Sequence, residues 1–365
     1  MNSMEVCGIR YFKPVCHTAY GLLMYRKEKL YILEDGDKSD PSFVCDLPIE
    51  DPRGKFCICP LAERLMHIDL YCGIAVSNGA VVAFNKGIYF VDLNSRQVRR
   101  EHDFTSGMRR PFNFYEIRNV KGFSDGIVYG EYTYNADQAP VSMYRRTDSG
   151  AWEIVYTFPA HTIRHIHSII PDPYRSRVII CTGDNGEEAA IWAAYDDFSR
   201  VEKIWGGNQD YRACCARAYP QGILLLTDSP HFQNYAYLLT EAQGQAQRQD
   251  LCKIPGPTVF FTEYEDQVVF ATDVEYDERR LNRITKYATY RRGPGVQDWY
   301  SHIFMGSPNK GFREVAKLKK DCFPMGAAMG FGGVAFPNGQ QKGRVYFYPY
   351  AVELDKFLCY LTIDP

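Results

Sequence analysis

Short β-rich segments alternate with turns along the whole chain, and helical periodicity is almost absent. Apolar and β-branched runs, for example residues 73–93, 164–181 and 213–227, are separated by turn sequences such as Asn78-Gly79 and Asn185-Gly186. Many short strands joined by such turns are typical of a β-sandwich, a barrel or a propeller.

The spacing of the strand groups favours a propeller over a large β-sandwich. The groups begin near residues 20, 70, 120, 165, 212, 260 and 325, which is compatible with about seven four-stranded blades. Several groups open on small or apolar residues (73–76 and 222–226), as an inner strand buried on both faces would. Because no linker divides the chain, we predict an all-β, single-domain propeller over residues 1–365, with a long excursion between strands at 276–300.

Composition and charge narrow the function classes. The aromatic share of 15%, with 27 Tyr and 22 Phe, suits strands. Since 42 basic and 44 acidic residues nearly cancel, we expect no nucleic-acid partner. The sequence has no Walker loop, no dinucleotide-binding Gly-x-Gly-x-x-Gly and no Gly-x-Ser-x-Gly elbow, which argues against nucleotide-dependent enzymes and serine hydrolases.

The cysteines and the apolar segments indicate where in the cell the protein is expected. The 12 cysteines have irregular spacing and include no Cys-x-x-Cys pair. No signal-peptide-like segment occurs near Met1, and no stretch of 18 apolar residues occurs anywhere. We therefore expect a cytoplasmic protein with reduced thiols and no membrane contact.

Residues 147–152, Thr-Asp-Ser-Gly-Ala-Trp, resemble a degenerate Asp-box, the turn motif of sialidase-like (BNR) propellers. The spacing before Trp152 is one residue short of the usual motif. The resemblance implies that Asp148 closes a hairpin turn and that Trp152 packs between sheets, so both are markers of the fold.

Residues 105–240 resemble a family of bacterial Asp-box propellers often found near glycan genes. The matching segments are Arg164–His167 with 172–174, Thr182-Gly183-Asp184, Tyr211-Arg212 and 227–235, with a weaker continuation at 292–295 and 301–303. The resemblance implies a carbohydrate-active propeller with a glycan or oligosaccharide as partner. The arginine triad that holds sialic acid in sialidases is not evident.

Two histidines are the leading candidates for chemistry. His165 and His167 are two residues apart, so on a strand their side chains point to the same face. Such a pair can hold a divalent metal ion or act as general base and acid near neutral pH. The alternative is a histidine that packs under a loop and bonds a backbone carbonyl.

Three acidic residues are further candidates. Glu131 lies in an apolar and aromatic run, where a carboxyl group gains a raised pKa unless it is paired, for example with Arg212. Asp184 and Asp228 each follow a strand and begin a turn, so either can be a second carboxylate or simply a turn residue.

Substrate contacts are predicted around these groups. Arg212 begins a strand in a register equivalent to that of His165, and it can hold an anionic sugar through a bidentate contact. The other predicted substrate-binding residues are Asp228, Asn234, Tyr235, Tyr132 and His302.

Three functions remain open. The first is a glycoside hydrolase that uses Glu131 with Asp184 or Asp228, assisted by His165 or His167. The second is a polysaccharide lyase for a uronate-containing glycan, in which Arg212 or a metal neutralises the carboxylate and an imidazole or tyrosine removes the C5 proton. The third is a propeller that binds a glycan or a protein without catalysis.

Overall fold

The computed structural model is a seven-bladed β-propeller, which confirms the predicted fold class. It describes residues 3–34, 40–48, 70–105, 109–242, 245–277, 279, 281–282, 285–326 and 330–363. Each blade is an antiparallel sheet whose first strand lines a central channel. The predicted starts of the strand groups fall close to the inner strands of the blades.

Six blades are built from consecutive strands. The first blade has β2 Lys13–Thr18, β3 Gly21–Arg26, β4 Lys29–Leu33 and β5 Ser42–Asp46, and the second has β6 Leu70–Val76, β7 Gly79–Phe84, β8 Gly87–Asp92 and β9 Val98–Asp103. The third has β10 Arg110–Pro111, β11 Tyr115–Ile117, β12 Gly126–Tyr132, β13 Val141–Arg146 and β14 Trp152–Phe158, and the fourth has β15 Ile166–Asp172, β16 Arg177–Thr182, β17 Ala190–Tyr195 and β18 Arg200–Gly206. The fifth has β19 Ala213–Tyr219, β20 Gly222–Thr227, β21 Asn234–Ala242 and β22 Gln245–Ile254, and the sixth has β23 Thr258–Tyr264, β24 Gln267–Thr272, β25 Tyr300–Ser307 and β26 Gly311–Lys319. In the third blade, β10 and β11 both pair with β12.

The seventh blade joins the two ends of the described chain. Its strands β27 Gly333–Ala335, β28 Arg344–Tyr350 and β29 Phe357–Thr362 are completed by β1, Ser3–Arg10, as the outermost strand. Ser3 pairs with Thr362 in an antiparallel register. Short 3-10 helices at Pro173–Arg175, Gly186–Glu188, Gln209–Tyr211 and Thr285–Ala288 lie in connections between strands.

The hydrophobic core is a ring of clusters, one between each pair of neighbouring blades. The second strands contribute much of it, and every residue of β7, β16 and β20 is buried. Residues 73–76 lie in the inner strand β6, as predicted. Placing residues 222–226 in an inner strand was wrong, because they form the second strand β20. A second strand has a blade packed on each face and no edge on the channel, which explains its apolar sequence.

The hairpin between β13 and β14 differs in part from an Asp-box. Trp152 packs between blades against Phe114 and Tyr129, with ring centroids 5.7 and 5.2 Å apart, as the resemblance implies. The turn, however, is held by Thr147, whose Oγ1 accepts the amide of Ala151 at 3.1 Å. Asp148 is exposed, and Thr147 makes the turn contacts that the resemblance implies for Asp148.

A one-residue β-bulge recurs near the start of the inner strands. The register of the first two strands slips by one residue in five blades, at Val15, Tyr71, His167, Cys214 and Val259. Such bulges turn a side chain away from the regular alternation, and they are common beside active sites.

Two further expectations concern cysteines and membrane spans. The ten cysteines among the described residues are all free; Cys57 and Cys59 lie outside them. Within the same described part, no helix is long and apolar enough to cross a membrane.

Candidate functional site

The predicted residues from successive blades meet at one face of the ring. His165 and Arg212 precede inner strands, whereas Asp184 and Asp228 follow second strands. Because the first two strands of a blade are antiparallel, the start of one lies beside the end of the other. Asp184, Arg212 and Asp228 line a channel cavity of about 1170 Å³, which is large enough for an oligosaccharide.

A backbone hydrogen bond that recurs in three blades fixes this arrangement. Thr182, Thr227 and Thr272 recur every 45 residues, and each ends a second strand. The backbone amide of the residue after each threonine donates a hydrogen bond to the carbonyl oxygen of the residue just before the inner strand. The three pairs are Gly183 with His165 at 3.3 Å, Asp228 with Arg212 at 3.0 Å and Asp273 with Pro257 at 2.8 Å. The acidic residues of three blades are thereby held at one depth of the channel.

His165, His167 and Asp184 form a compact donor group. The two Nε2 atoms are 2.9 Å apart, and Asp184 places Oδ1 3.2 Å from His167 Nε2 and Oδ2 3.4 Å from His165 Nε2. All three donor atoms lie within 4.8 Å of one another. These separations match neighbouring ligands of a metal ion with bonds of about 2.1 Å.

The surroundings of the histidines suit metal ligation. His165 Nδ1 lies 3.1 Å from the carbonyl oxygen of Thr133, which can only accept, so Nδ1 carries a proton and Nε2 is the nitrogen that faces His167 and Asp184. Metal-bound histidines use this kind of second contact to fix the ring. The side chain of His167 is 1% exposed and that of Asp184 is 28% exposed, so the group is open to the channel on the Asp184 side.

Asp184 is the charged member of the group. Burial alone would raise the pKa of its carboxyl group, but hydrogen bonds with His165 and His167 hold that pKa well below the usual range. Asp184 is therefore a carboxylate at neutral pH, which is the form that binds a cation.

Arg212 and Asp228 continue the site into the fifth blade. Arg212 lies 3.6 Å from Asp184 Oδ1 and 3.5 Å from Asp228 Oδ2. Cys214, the bulged residue of β19, donates to Asp228 Oδ2 at 3.2 Å. Asp228 Oδ1 is buried and has no hydrogen-bond partner among the described residues.

Sequence reasoning missed an acidic group on the sixth and seventh blades. Tyr350 donates to Asp273 Oδ2 at 2.8 Å, and both residues line the cavity together with Glu275. Burial, and then the charge of Asp228, raise the pKa of Asp273 to about 8 despite the hydrogen bond from Tyr350. Burial and the charges of Asp228 and Asp273 also raise the pKa of Glu275 well above its usual value. The 45-residue recurrence of Thr followed closely by Asp could have revealed Asp273.

Glu131 lies apart from this group. Its side chain is 3% exposed, pairs with Arg109 at 3.1 Å, and accepts from Thr105 Oγ1 and the amide of Ser142 at 2.9 Å each. The pairing predicted from sequence is present, but Arg109 is the partner instead of Arg212. On β12, Glu131 points away from the channel while its neighbour Tyr132 lines it.

Of the remaining residues predicted to contact substrate, some lie at the cavity and others do not. Tyr132 lies in the cavity wall, with its ring centroid 4.5 Å from that of His165. Asn234 is buried and accepts from Thr227 Oγ1 at 3.0 Å and from the amide of Ser229 at 2.8 Å, so it holds the turn after β20. Tyr235 stacks with Arg248 instead of facing the cavity.

His302 is also remote from the donor group. It lies on β25, the third strand of its blade, between Glu314 at 2.6 Å and Asp298 at 3.0 Å. The structure therefore brings together Tyr132, His165, His167, Asp184, Arg212 and Asp228, but not Glu131, Asn234, Tyr235 or His302.

Comparison with known proteins supports the fold alone. No family model and no curated protein matches the sequence. Among solved structures, a chain of the mitotic checkpoint complex is 10% identical with a TM-score of 0.56, and covers 100% of this chain and 91% of its own. The AfRom2 CNH domain is 8% identical with a TM-score of 0.55, covering 100% and 99%. The oligogalacturonate lyase of Vibrio parahaemolyticus is 12% identical with a TM-score of 0.55, covering 100% and 97%. The Asp-box family and its glycan association remain predictions.

Proposed function

We propose that the protein is a polysaccharide lyase that cleaves a uronate-containing glycan in the channel with the help of a divalent metal ion. The observation that carries this proposal is the donor group of His165, His167 and Asp184 in the channel wall, beside Arg212. One solved structure of similar fold is named an oligogalacturonate lyase, so oligogalacturonate is the first substrate to test.

The chemistry is a β-elimination, which needs a cation, a base and a proton donor. A metal ion or Arg212 next to the uronate carboxylate makes the C5 proton more acidic. We assign the base to the carboxylate of Asp228, which lines the cavity and would take the C5 proton. The C5–H electron pair forms the C4–C5 double bond as the C4–O bond breaks. Burial raises the pKa of Tyr132, so its hydroxyl keeps a proton that it can give to the departing oxygen.

Glycoside hydrolysis is the second candidate, and one observation favours it. A protonated carboxyl group, Asp273, shares the channel with the ionised Asp184. Hydrolases need carboxyl groups in these two states on either side of the scissile bond. The product separates the two reactions, because elimination leaves an ultraviolet-absorbing unsaturated sugar and hydrolysis does not.

The test begins with protein treated with a chelator. Mg²⁺, Ca²⁺, Mn²⁺ or Zn²⁺ is added singly with oligogalacturonate, and ultraviolet absorbance is followed. We expect turnover to depend on one of these ions. Calorimetry should show that Asp184→Asn and His167→Ala each weaken binding of that ion by at least about tenfold.

Glu131→Gln is the matched control. It changes a buried carboxylate on the same side of the ring but outside the donor group, so metal affinity should stay unchanged. Turnover that persists after chelation, or no binding of any of the four ions, contradicts the metal site. Reducing ends without unsaturated product would favour the hydrolase.

A further inference from the structure

Arg110 is a channel cation that sequence reasoning did not single out. It begins β10, the first inner strand of the third blade, and it lines the same cavity as Asp184 and Arg212. Its guanidinium carbon lies 4.5 Å from the centroid of the Tyr71 ring and 5.5 Å from that of the Tyr132 ring. Two aromatic rings thus hold the guanidinium in the wall of the cavity.

Arg110 differs in its partners from Arg212 and Arg217, two other arginines that line the cavity. Arg212 is close to Asp184 and Asp228, and Arg217 lies 3.5 Å from Glu263. No carboxylate of the described residues lies within ion-pair distance of Arg110, and the one acceptor of its guanidinium there is the carbonyl of Pro111 at 3.1 Å. Within the described part of the chain, most of its five N–H donors therefore have no acceptor and can bind a ligand.

A guanidinium held in this way is suited to bind a carboxylate. Its planar fork can give two parallel hydrogen bonds to both oxygens, and no carboxylate of the described residues has to be displaced first. Arg212, in contrast, would have to exchange the carboxylates of Asp184 and Asp228 for that of a ligand.

The position of Arg110 connects it to the donor group. Tyr132 touches Arg110 with its ring and also lies beside His165, so one aromatic side chain separates the two positions. Tyr71, on the other side, is a bulged residue of β6. The bulge at Tyr71 turns its ring out of the strand alternation and toward the guanidinium.

We propose that Arg110, held between Tyr71 and Tyr132, recognises a carboxylate of the sugar chain and selects acidic over neutral glycans. The identity of the ligand as a uronate rests on the proposed function. The recognition itself needs neither the metal ion nor cleavage of the chain.

The test measures binding without turnover. Calorimetry on chelator-treated protein compares digalacturonate with its methyl ester, which has the same ring and no charge. Wild-type protein should bind the acid at least about tenfold more tightly than the ester, equivalent to roughly 1.4 kcal/mol. Arg110→Gln should abolish that preference while affinity for the ester stays the same, and Arg110→Lys should keep only part of it.

Arg217→Gln is the matched control, because Arg217 lines the same cavity over the ring of Tyr219 but is paired with Glu263. It should keep the preference for the acid. Equal binding of acid and ester by the wild type, or an unchanged preference in Arg110→Gln, overturns the proposal. Thermal unfolding of each variant checks that it is folded. If the preference depends on Arg110 and no elimination product forms with any metal, recognition stands and the lyase proposal fails.

Discussion

His165 and His167 illustrate how a strand end becomes a site. His165 lies just before β15 and His167 is the bulged residue near its start, and in this arrangement the two Nε2 atoms lie 2.9 Å apart. The hydrogen bond that the backbone amide of Gly183 donates to the carbonyl oxygen of His165 then holds Asp184 beside them. Gly183 has a φ of +71°, a conformation that side chains disfavour, so this close turn depends on glycine.

The buried carboxyl group of Asp273 makes the free energy of unfolding depend on pH. Its pKa of about 8 in the folded protein exceeds the value near 4 of an unfolded aspartate, so between these values the folded state keeps a proton that the unfolded state releases. The contribution of Asp273 to stability is therefore greatest at low pH and falls as pH rises toward 8. The slope approaches roughly 1.4 kcal/mol per pH unit.

Urea unfolding from pH 5 to pH 8 measures this effect. Asp273→Asn keeps an oxygen for the hydroxyl of Tyr350 but cannot ionise, so its free energy of unfolding relative to wild type should rise steadily with pH. Asp148→Asn, on an exposed turn, should run parallel to wild type. A constant difference between Asp273→Asn and wild type would contradict the prediction.

The sequence predicts the location of a side chain well where its position along a strand decides that location. His165, Asp184 and Arg212 could be placed because they lie at strand ends in equivalent units. Glu131 illustrates the limit, since its partner Arg109 and the direction of its side chain depend on pairing within the third blade. Arg110 was missed because its significance lies in what surrounds it: two rings from different blades and no acidic partner within the described chain.

At the scale of elements, β12 shows how tightly neighbouring blades pack. A Cβ added at Gly130 would lie 2.6 Å from Cβ and Cγ2 of Ile166 in the next blade. We predict that Gly130→Ala lowers the free energy of unfolding by roughly 1–3 kcal/mol, because the inner strand β15 has little room to move.

Gly126→Ala is the control for that prediction. Gly126 lies in the same strand, where the nearest heavy atoms to an added Cβ are 3.4 Å away. Denaturant unfolding should place Gly126→Ala close to wild type. If the two variants have equal stability, close packing between the blades is not the reason for Gly130.

The number and spacing of the elements were accessible from sequence, whereas their order within a blade was less so. Turn residues and apolar runs mark strands whatever their place in the sheet. The error at β20 arose because burial on both faces was attributed to an inner strand. In a ring of blades the second strand is enclosed on both sides as well, and every residue of β20 is buried.

For the whole molecule, the pairing of β1 with β29 closes the ring. Cys7 and Ile9 of β1 pack against the cluster between the seventh and first blades. We predict that deleting residues 1–10 lowers the melting temperature by at least roughly 5 °C, because the edge of β29 and this cluster are uncovered.

A synthetic peptide of residues 1–12 should restore most of the loss when it is added to the truncated protein, and a scrambled peptide should not. Calorimetric melting curves at several peptide concentrations provide the measurement. A truncated protein that melts like the full chain would show that closure by β1 contributes little.

The same closure has a consequence for biosynthesis. Ser3 leaves the ribosome 359 residues ahead of its partner Thr362. At ribosomal rates of roughly 5–20 residues per second, the first strand waits about 20–70 seconds for the strand that it pairs with. During that interval six blades can assemble in order while β1 stays unpaired, so the newborn protein depends on β1 avoiding other partners until β29 has been made.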